Sequence, residues 1–313
     1  KFSNKLSVLL LLLSSVFASS APIVPFKFAV ISDPHLMISS QLNIMRNFIH
    51  TLNVQDTVDF LVVDGDIVGD VHNMLEPTSN IFKHAALKVY AVSGNHDDSY
   101  GATPGPFIAA FDSIQYSFDH KGVHFPVYWS QKGPLTWLTS NMSATPATTP
   151  IIVFQHYQPQ SDQTPMLTNT ANLKALIHGH LHSAYDTKIG TTNVYSIGNY
   201  RPSDTINTYV VFSVLPDGSL VKTVKTLTAR LSPTDNLPSV IVTVKPSGTM
   251  SGNIIFSGTA SDDNSVQRVE CSYDGGWTWK PATGTTAWSI TLDTKIIGNG
   301  TRTFLFRAID NKG

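Results

Sequence analysis

Buried strands and amphipathic helices alternate along the first part of the chain. Residues 26–31 form a continuous apolar run of strand length, and residues 39–52 carry apolar side chains at three- and four-residue spacing, which predicts an amphipathic helix. Similar apolar runs follow at 58–63 and 89–92, with a helical segment at about 73–86 between them. This order is typical of an open α/β sheet whose ligand site lies at the carboxyl ends of the strands.

The pattern changes after residue 98. Two strands joined by a turn are predicted at 115–119 and 123–128, and a helix is predicted near 133–142. Further strands are predicted at 150–154, 175–177, 192–197, 208–214 and 220–227. Taken together, these elements predict two sheets packed face to face with helices outside, an α/β domain that we place at residues 19–231.

A polar segment at 232–238 contains two prolines, which can continue neither a helix nor a central strand, so we predict a linker there. Helical periodicity disappears beyond it. Short alternating strands are predicted at 240–244, 253–256, 266–273, 288–292 and 303–307, separated by Gly, Asp and Asn turns. This spacing predicts that residues 239–313 form a β-sandwich.

The first residues have the pattern of a secretory signal. Lys1 and Lys5 precede an apolar segment at 6–17, and small residues follow around Ala18. Because the segment is too short to span a bilayer stably, we predict a cleaved signal peptide at 1–18 and an exported protein, with no transmembrane segment after cleavage. An uncleaved anchor is the alternative.

Composition narrows the class of protein and its partners. With 42% hydrophobic and 14% charged residues the chain has a globular rather than a disordered composition. The formal charge is −1 and the charged residues are scattered, so no basic stripe is present and an obligate nucleic-acid partner is not expected. Cys271 is the single cysteine, and we expect a buried small hydrophobe rather than a disulfide partner.

Polar side chains that bind metals follow several of the predicted strands. Eight lie at strand ends: Asp33, His35, Asp66, Asn95, His96, His156, His180 and His182. Oxygen and imidazole donors together suit borderline divalent cations, although any one of these residues alone is better explained as an ordinary surface or core residue. The other histidines lack such placement, and His178 lies one position outside the pattern.

The eight residues together resemble the five-block pattern of the calcineurin-like metallophosphoesterases. The blocks are Asp-x-His, Gly-Asp, Gly-Asn-His-Asp, a lone His and Gly-His-x-His, and they occur here in that order within residues 26–228. The resemblance is to the branch of purple acid phosphatases and cyclic-nucleotide phosphodiesterases. It implies a four-layer αββα sandwich and a metal-dependent phosphoric ester hydrolase.

The resemblance also implies roles for these residues around two divalent ions, Fe, Mn or Zn. One ion would be bound by Asp33, His35 and His182, the other by Asn95, His156 and His180, with Asp66 bridging them. A hydroxide held between the ions would attack phosphorus in line. His96, which the family leaves off the metals, would protonate or stabilise the leaving alkoxide, and Asp97 would orient His96.

Two positions depart from relatives. Gly69 stands where purple acid phosphatases carry an iron-binding tyrosine, so an Fe(III)-tyrosinate centre is not expected. Asp64 stands where relatives often have Thr or Ser, and it is either a support for the bridging carboxylate or a solvated loop acid.

The C-terminal segment resembles the immunoglobulin-like repeats of bacterial secreted enzymes and surface proteins. The resemblance rests on the stretches Asp274–Trp277 and Arg307–Asp310 and on Trp288. It implies one strand more than the segment contains, so we expect a truncated sandwich, with contact to carbohydrate or a cell surface as a further expectation.

Three functions compete. The first is a secreted phosphoesterase acting on a small phosphate mono- or diester. The second is an adhesive or carbohydrate-binding protein with a degenerate phosphoesterase scaffold, and the third is a nuclease or phosphodiesterase directed at nucleotides. Because every ligand position of the pattern is filled, an enzyme is favoured over a scaffold.

Overall fold

A computed structural model describes residues 23–200, 207–227, 238–263, 265–273 and 279–310. The predicted signal peptide at 1–18, the linker before Pro238 and the stretch Asp274–Trp277 lie outside these ranges. Within the described ranges no helix is long and apolar enough to cross a membrane.

The N-terminal part contains eleven strands and five α-helices among its described residues. In chain order they are β1 (Phe26–Ile31), α1 (Ser40–Gln55), β2 (Phe60–Asp64), α2 (Leu75–His84), β3 (Lys88–Val92), α3 (Gly105–Phe111), β4 (Tyr116–His120), β5 (Val123–Tyr128), α4 (Leu135–Ala144), β6 (Ile151–Gln155), α5 (Thr164–Asn169), β7 (Leu173–His178), β8 (Tyr185–Ile189), β9 (Thr192–Ser196), β10 (Asn207–Val214) and β11 (Leu220–Leu227). Short 3₁₀ turns precede α2 at His72–Met74 and α5 at Ser161–Gln163.

Two mixed sheets are built from these strands. The first has the order β11-β10-β1-β2-β3, with β1, β2 and β3 parallel and β10 antiparallel to both of its neighbours, β1 and β11. The second has the order β4-β5-β6-β7-β9-β8, with a parallel centre and an antiparallel strand at each edge. All five strands that carry the predicted site residues belong to the parallel parts.

Aromatic side chains fill the space between the sheets. Phe28 of β1 stacks on Phe60 at 5.1 Å and on Phe212 at 5.3 Å, and it meets Phe125 and Phe154 of the second sheet edge-on. These rings are almost fully buried and belong to one apolar cluster that both sheets share. The sheets are therefore packed face to face, as predicted.

Separate apolar clusters cover the outer faces of the two sheets. Helices α1, α2 and α3 pack on the first sheet through residues such as Phe48, Phe82 and Phe107. Helices α4 and α5 pack on the second sheet through Leu138 and Leu167. The layers run helix, sheet, sheet, helix, so the predicted αββα sandwich is confirmed.

The C-terminal part is a small β-sandwich. Its elements are β12 (Ser239–Val244), β13 (Asn253–Ser261), β14 (Val266–Ser272), β15 (Lys280–Pro281), β16 (Thr283–Gly284), β17 (Ala287–Asp293), α6 (Thr294–Ile297) and β18 (Leu305–Asp310). The sheets β12-β13-β17-β16 and β15-β14-β18 enclose Phe256, Cys271 and Trp288. Burial raises the pKa of the Cys271 thiol to about 12, so this cysteine is the inert small hydrophobe that was predicted.

One arginine joins the two parts of the molecule. Arg307 of β18 donates a hydrogen bond of 2.8 Å from Nη2 to Oε1 of Glu76 in α2. The same guanidinium binds Glu270 of its own sandwich, and it lies over the Trp279 ring at 4.0 Å from the centroid. The sandwich is thus in contact with the face of the α/β domain that carries α2.

Candidate metal centre

The predicted ligands come together where the carboxyl ends of five strands meet. Strands β1, β2 and β3 deliver Asp33, Asp66 and Asn95 from the first sheet. Strands β6 and β7 deliver His156 and the segment 178–182 from the second. Because parallel strands end at the same edge, two packed sheets bring both sets of ligands to one rim.

Two clusters of ligand atoms lie at this rim. One contains Asp33, His35, Asp66 and His182, and the other contains Asp66, His156 and His180. Within each cluster the ligand atoms lie within 4.8 Å of one another. Asp66 belongs to both, so its carboxylate lies where a bridging ligand between two cations would lie.

The ring nitrogens point toward the carboxylates. His182 Nε2 lies 3.2 Å from Asp33 Oδ1 and 3.3 Å from His35 Nε2. His156 Nε2 lies 3.2 Å from Asp66 Oδ2, and His35 Nε2 lies 3.7 Å from the same oxygen. Each imidazole thus presents the same type of atom to a shared centre.

Several of these atoms are buried without a hydrogen bond. Asp33 Oδ1, Asn95 Oδ1 and His156 Nε2 have no hydrogen-bond partner among the described residues, and the approach of His156 to Asp66 lacks hydrogen-bond geometry. A buried polar atom left unpaired costs about 1–3 kcal/mol. One cation in each cluster would satisfy these atoms, and the mixed oxygen and nitrogen donors suit Mn, Fe or Zn. The residues present therefore fit a metal site.

Hydrogen bonds orient the ligands from behind. His156 Nδ1 donates to the Asp64 carbonyl at 2.9 Å, which leaves Nε2 directed into the centre. The Ser32 hydroxyl and the backbone N–H of His180 both donate to Asp33 Oδ2, at 2.5 and 3.1 Å. Asp33 Oδ1, the atom without a partner, is the one that faces the histidines.

Protonation in this centre follows from burial and from the carboxylates. Burial lowers the pKa of His35 and of His180, which favours the neutral imidazole that binds metals. Burial also acts to lower the pKa of His156, but the carboxylates of Asp66 and Asp33 outweigh it and raise that pKa to about 10. The same two carboxylates, which keep a proton on His156, would attract a cation to this centre.

The backbone at the ligands is unusual. Five of the seven predicted ligands have a left-handed backbone: Asp33 (φ 56°), His35 (φ 45°), Asp66 (φ 47°), His180 (φ 68°) and His182 (φ 54°). Few non-glycine residues adopt this conformation, and it is concentrated at functional sites. The sharp turns it allows let Asp33 and His35 face one cluster, and let His180 and His182 face the two neighbouring clusters.

Glycines in the same turns permit the close approach of the chain. A Cβ at Gly94 would overlap with the backbone nitrogen and the carboxylate of Asp66, and a Cβ at Gly179 would overlap with the Ser32 hydroxyl. The glycines of the Gly-Asn-His-Asp and Gly-His-x-His blocks are therefore required by packing between neighbouring turns.

His96 lies beside the clusters and is a member of neither. Its backbone N–H donates to Asp66 Oδ1 at 2.9 Å, and its ring Nε2 lies 3.9 Å from Asp66 Oδ2. Its Nδ1 is 2.9 Å from Asp70 Oδ2. The ring thus reaches the centre with Nε2 while a carboxylate holds its other nitrogen.

The predicted role of Asp97 as the partner of His96 is wrong. Asp97 is fully buried, and its carboxylate accepts hydrogen bonds from the backbone N–H groups of Gly94, Ile67 and Val68 at 2.8, 3.1 and 2.9 Å. It therefore joins the turn after β3 to the turn after β2. Asp97 shapes the loop that carries Asn95 and His96, and Asp70 takes the orienting position.

Asp70 was missed by sequence reasoning although a signal was present. It is the fourth residue after Asp66 and follows a second glycine, Gly69, in the stretch Gly-Asp-Ile-Val-Gly-Asp. Its backbone is left-handed at φ 62°, like that of the ligands. Repetition of the Gly-Asp pair could have identified it as a second carboxylate of the same turn.

Three further predictions have an outcome in the structure. Asp64 is fully buried, and burial raises the pKa of its carboxyl group well above the ordinary value, so the alternative of a solvated loop acid is wrong. His178 is buried outside both clusters. His72, one of the histidines outside the predicted pattern, contacts the backbone carbonyl of His96 through Nε2 at 3.1 Å.

Comparison with known proteins places both parts of the chain. The model of the family described as calcineurin-like phosphoesterase matches residues 26–184, and that of the bacterial Ig domain matches residues 238–304. No curated protein matches the chain.

Several solved structures are similar to the chain at a distance. GAP50 of Plasmodium, described as the anchor in the inner membrane complex, is 15% identical, with 64% of this chain and 84% of that chain covered and a TM-score of 0.45. An archaeal phosphodiesterase is 17% identical, with 64% and 99% covered and a TM-score of 0.37. The sulfate thiohydrolase SoxB of Thermus thermophilus is 10% identical, with 64% and 56% covered and a TM-score of 0.42.

The assignment to a family rests on the matched family model. That model covers more than half of the chain and includes all the residues of both ligand clusters. The chain therefore belongs to the calcineurin-like phosphoesterase family and is a hydrolase of phosphate esters, followed by a bacterial Ig domain.

Proposed function

We propose that the protein is a secreted phosphoesterase that hydrolyses a small phosphate mono- or diester with two divalent ions. The observation that carries the proposal is the pair of ligand clusters that share Asp66 and lie beside His96. Secretion is supported by the signal-like pattern at 1–18 and by the bacterial Ig domain. The filled donor set argues against a degenerate scaffold.

Each cluster would hold one ion. Asp33, His35 and His182 would bind the first, and Asn95, His156 and His180 the second, with Asp66 between them. Bound ions of this kind act as Lewis acids toward phosphoryl oxygens and lower the pKa of water. The protein keeps three donor atoms unpaired and buried for them, so the ligands are preorganised.

His96 would transfer the proton in this reaction. Asp70 holds Nδ1, so Nε2 is the nitrogen left to face the substrate. When His96 is protonated, Nε2 can give its proton to the leaving oxygen, and the Asp70 carboxylate stabilises the imidazolium. Since Nε2 lies 3.9 Å from Asp66 Oδ2, a phosphoryl group bound to the cations that Asp66 would hold lies within reach of this ring.

The His96→Ala variant tests this assignment. We expect the variant to keep its metal content and to lose turnover of an alkyl phosphate ester by roughly 10²–10⁴-fold, the usual contribution of a positioned general acid. Turnover of a nitrophenyl ester of the same type should fall much less, because nitrophenolate leaves without a proton. Elemental analysis and rates for both esters would be measured for both proteins.

The matched control is Asp66→Ala, which should lose metal and both activities. Activity of the wild type that survives exhaustive chelation would contradict the metal requirement. An equal loss on both esters in His96→Ala, or a variant emptied of metal, would show that His96 has another role.

The class of ester and the binding partner of the β-sandwich are tested by separate experiments. Comparison of p-nitrophenyl phosphate with bis-p-nitrophenyl phosphate would separate monoester from diester preference. Binding of the sandwich to carbohydrate or a cell surface is a separate expectation from the sequence.

A further inference from the structure

Apolar side chains are exposed around the metal centre. Met37 is 55% exposed, Leu181 is 39% exposed and Tyr100 is 58% exposed. Each lies within four positions of His35, His180 or His96 in the sequence. Large exposed apolar side chains around a site indicate a binding surface, because a ligand can bury their apolar area when it binds.

Tyr100 lies in a loop with a strained backbone. Ser99 and Tyr100 are both left-handed, at φ 53° and 58°, a conformation that is strained for a residue as bulky as tyrosine. The backbone N–H of Tyr100 donates to the Asn95 carbonyl at 2.7 Å. The buried carboxylate of Asp98 accepts from the N–H of Gly101 at 2.7 Å and from the Trp129 indole at 2.5 Å, which closes the loop.

The constrained loop presents the Tyr100 ring to the centre. The centroids of the Tyr100 and His96 rings are 5.6 Å apart, and the exposed ring gives the fold little buried area. Backbone strain without gain in packing is typical of a residue retained for function. Since His96 is the proposed proton donor, Tyr100 lies on the side where the leaving group departs.

A second tyrosine lies at the other ligand cluster. Tyr157 follows His156 directly, and its ring centroid is 4.4 Å from that of His180. Its backbone N–H donates to the Ser130 hydroxyl at 2.9 Å, and its side chain is half-buried. Two phenol rings therefore contact imidazoles of the same centre.

We propose that Tyr100 and Tyr157 form an aromatic subsite that selects phosphate esters whose leaving group carries a planar ring, such as an aryl group or a nucleobase. This inference rests on the proposed function, because it takes the phosphoryl group to be bound at the metal centre. A flat ring can stack on either phenol, and such stacking contributes about 0.5–1.5 kcal/mol beyond the area buried. A saturated group of similar size gains only the buried area.

Esters that differ in ring planarity alone provide the test. Benzyl phosphate and cyclohexylmethyl phosphate both leave as primary alkoxides, so proton donation by His96 affects both. We expect the full-length wild type to prefer benzyl phosphate in kcat/KM. The variants Tyr100→Leu and Tyr157→Leu, which keep apolar bulk, should each reduce that preference by roughly threefold to tenfold, and Tyr100→Phe and Tyr157→Phe should keep it.

Tyr185→Leu is the matched control. Tyr185 is also exposed, at 39%, and its ring also lies near a histidine, 5.8 Å from His178, which belongs to neither cluster. We expect this variant to keep the preference of the wild type. A wild type without preference, or Leu variants that lose both activities equally while keeping their metal, would overturn the subsite.

The source of the ring is resolved by a second pair of esters. Adenosine 5′-phosphate and ribose 5-phosphate differ by the base, and a base-dependent preference lost in Tyr100→Leu would identify a nucleotide subsite. The same loss on benzyl phosphate alone would identify an aryl subsite. If the metal-loaded wild type hydrolyses none of these esters or the nitrophenyl esters, the proposed function fails, whereas hydrolysis of all of them without preference defeats only the subsite.

Discussion

Asp70 and His96 form a carboxylate–imidazole pair, in which Asp70 Oδ2 is the hydrogen-bond partner of His96 Nδ1. The carboxylate is 2.9 Å from Nδ1 and the Asp70 side chain is 60% exposed, so the pair lies at the open side of the centre. We expect Asp70→Asn to keep the metal and to lower turnover of an alkyl ester roughly tenfold or more, but by less than His96→Ala does, because an unsupported imidazole still donates protons. Steady-state rates and metal content would be measured together.

The chain offers a matched control for this variant. Asp119 Oδ1 is 2.6 Å from His124 Nδ1, and the Asp119 side chain is 80% exposed, so the same type of pair exists away from the centre. Asp119→Asn should leave the rates unchanged. An Asp70→Asn variant with wild-type rates on the alkyl ester would mean that the pair has no part in proton transfer.

The resemblance to the family's five-block pattern predicted the seven ligands, and the structure gathers six of them into two clusters. Asn95 adds a buried amide oxygen without a partner among the described residues. The partner of His96 could not be chosen in this way. Asp97 is adjacent in sequence, but the turn directs its carboxylate to backbone N–H groups, and only the folded loop shows that Asp70 is near.

The turns after the strands are as important as the ligands they carry. Gly94 has no room for a side chain, because a Cβ there would overlap with backbone and carboxylate atoms of Asp66. We expect Gly94→Ala to destabilise the domain by about 1–3 kcal/mol, as overpacking does, and to weaken metal binding by moving Asp66. Thermal unfolding with and without added metal would measure both effects.

Gly198→Ala is the control for this substitution. A Cβ at Gly198 would meet only the Ala184 side chain and nitrogen at 3.5 and 3.6 Å, an ordinary contact distance. This variant should unfold near the wild-type temperature. If Gly94→Ala unfolds at that same temperature with full metal affinity, then the close packing of the two turns does not support the centre.

Most strands were predictable, whereas two short helices and one exposed edge strand were not. The predicted bounds of β1, α1, β5, β9, β10 and β11 agree with the structure within a few residues. Helix α3 has seven residues and begins with Gly105-Pro106, and helix α5 has six, so neither is long enough to show a helical period. Strand β8 is an exposed edge strand that pairs only with β9, so it has no apolar alternation to detect.

At the scale of the whole molecule, the order of strands within each sheet could not be predicted from the sequence, because it depends on which apolar faces pack together. Neither could the contact between the two parts be predicted, since Glu76 and Arg307 are 231 positions apart and each has an ordinary surface type. The boundary between the parts was predicted from composition alone and lies in a segment outside the described residues.

The last prediction concerns independence of the α/β domain. Its three apolar clusters contain no described residue beyond Leu227, and the sandwich has its own cluster around Phe256 and Trp288. The cross-domain ion pair is partly exposed, with side chains 13% and 25% accessible at Arg307 and Glu76, and such pairs contribute about 1 kcal/mol or less. We therefore expect residues 19–231 to fold alone and to keep the metal centre.

A fragment of residues 19–231 should unfold cooperatively within a few degrees of the full chain, since each kcal/mol shifts the midpoint by roughly 2–4 °C in a domain of this size. In the full chain, Glu76→Ala removes the cross-domain ion pair, and its effect should match the fragment's shift. Glu270→Ala, which removes the other partner of Arg307, should destabilise the sandwich instead. If the fragment is molten or loses its metal while Glu76→Ala is stable, the sandwich supports the α/β domain through contacts other than this ion pair.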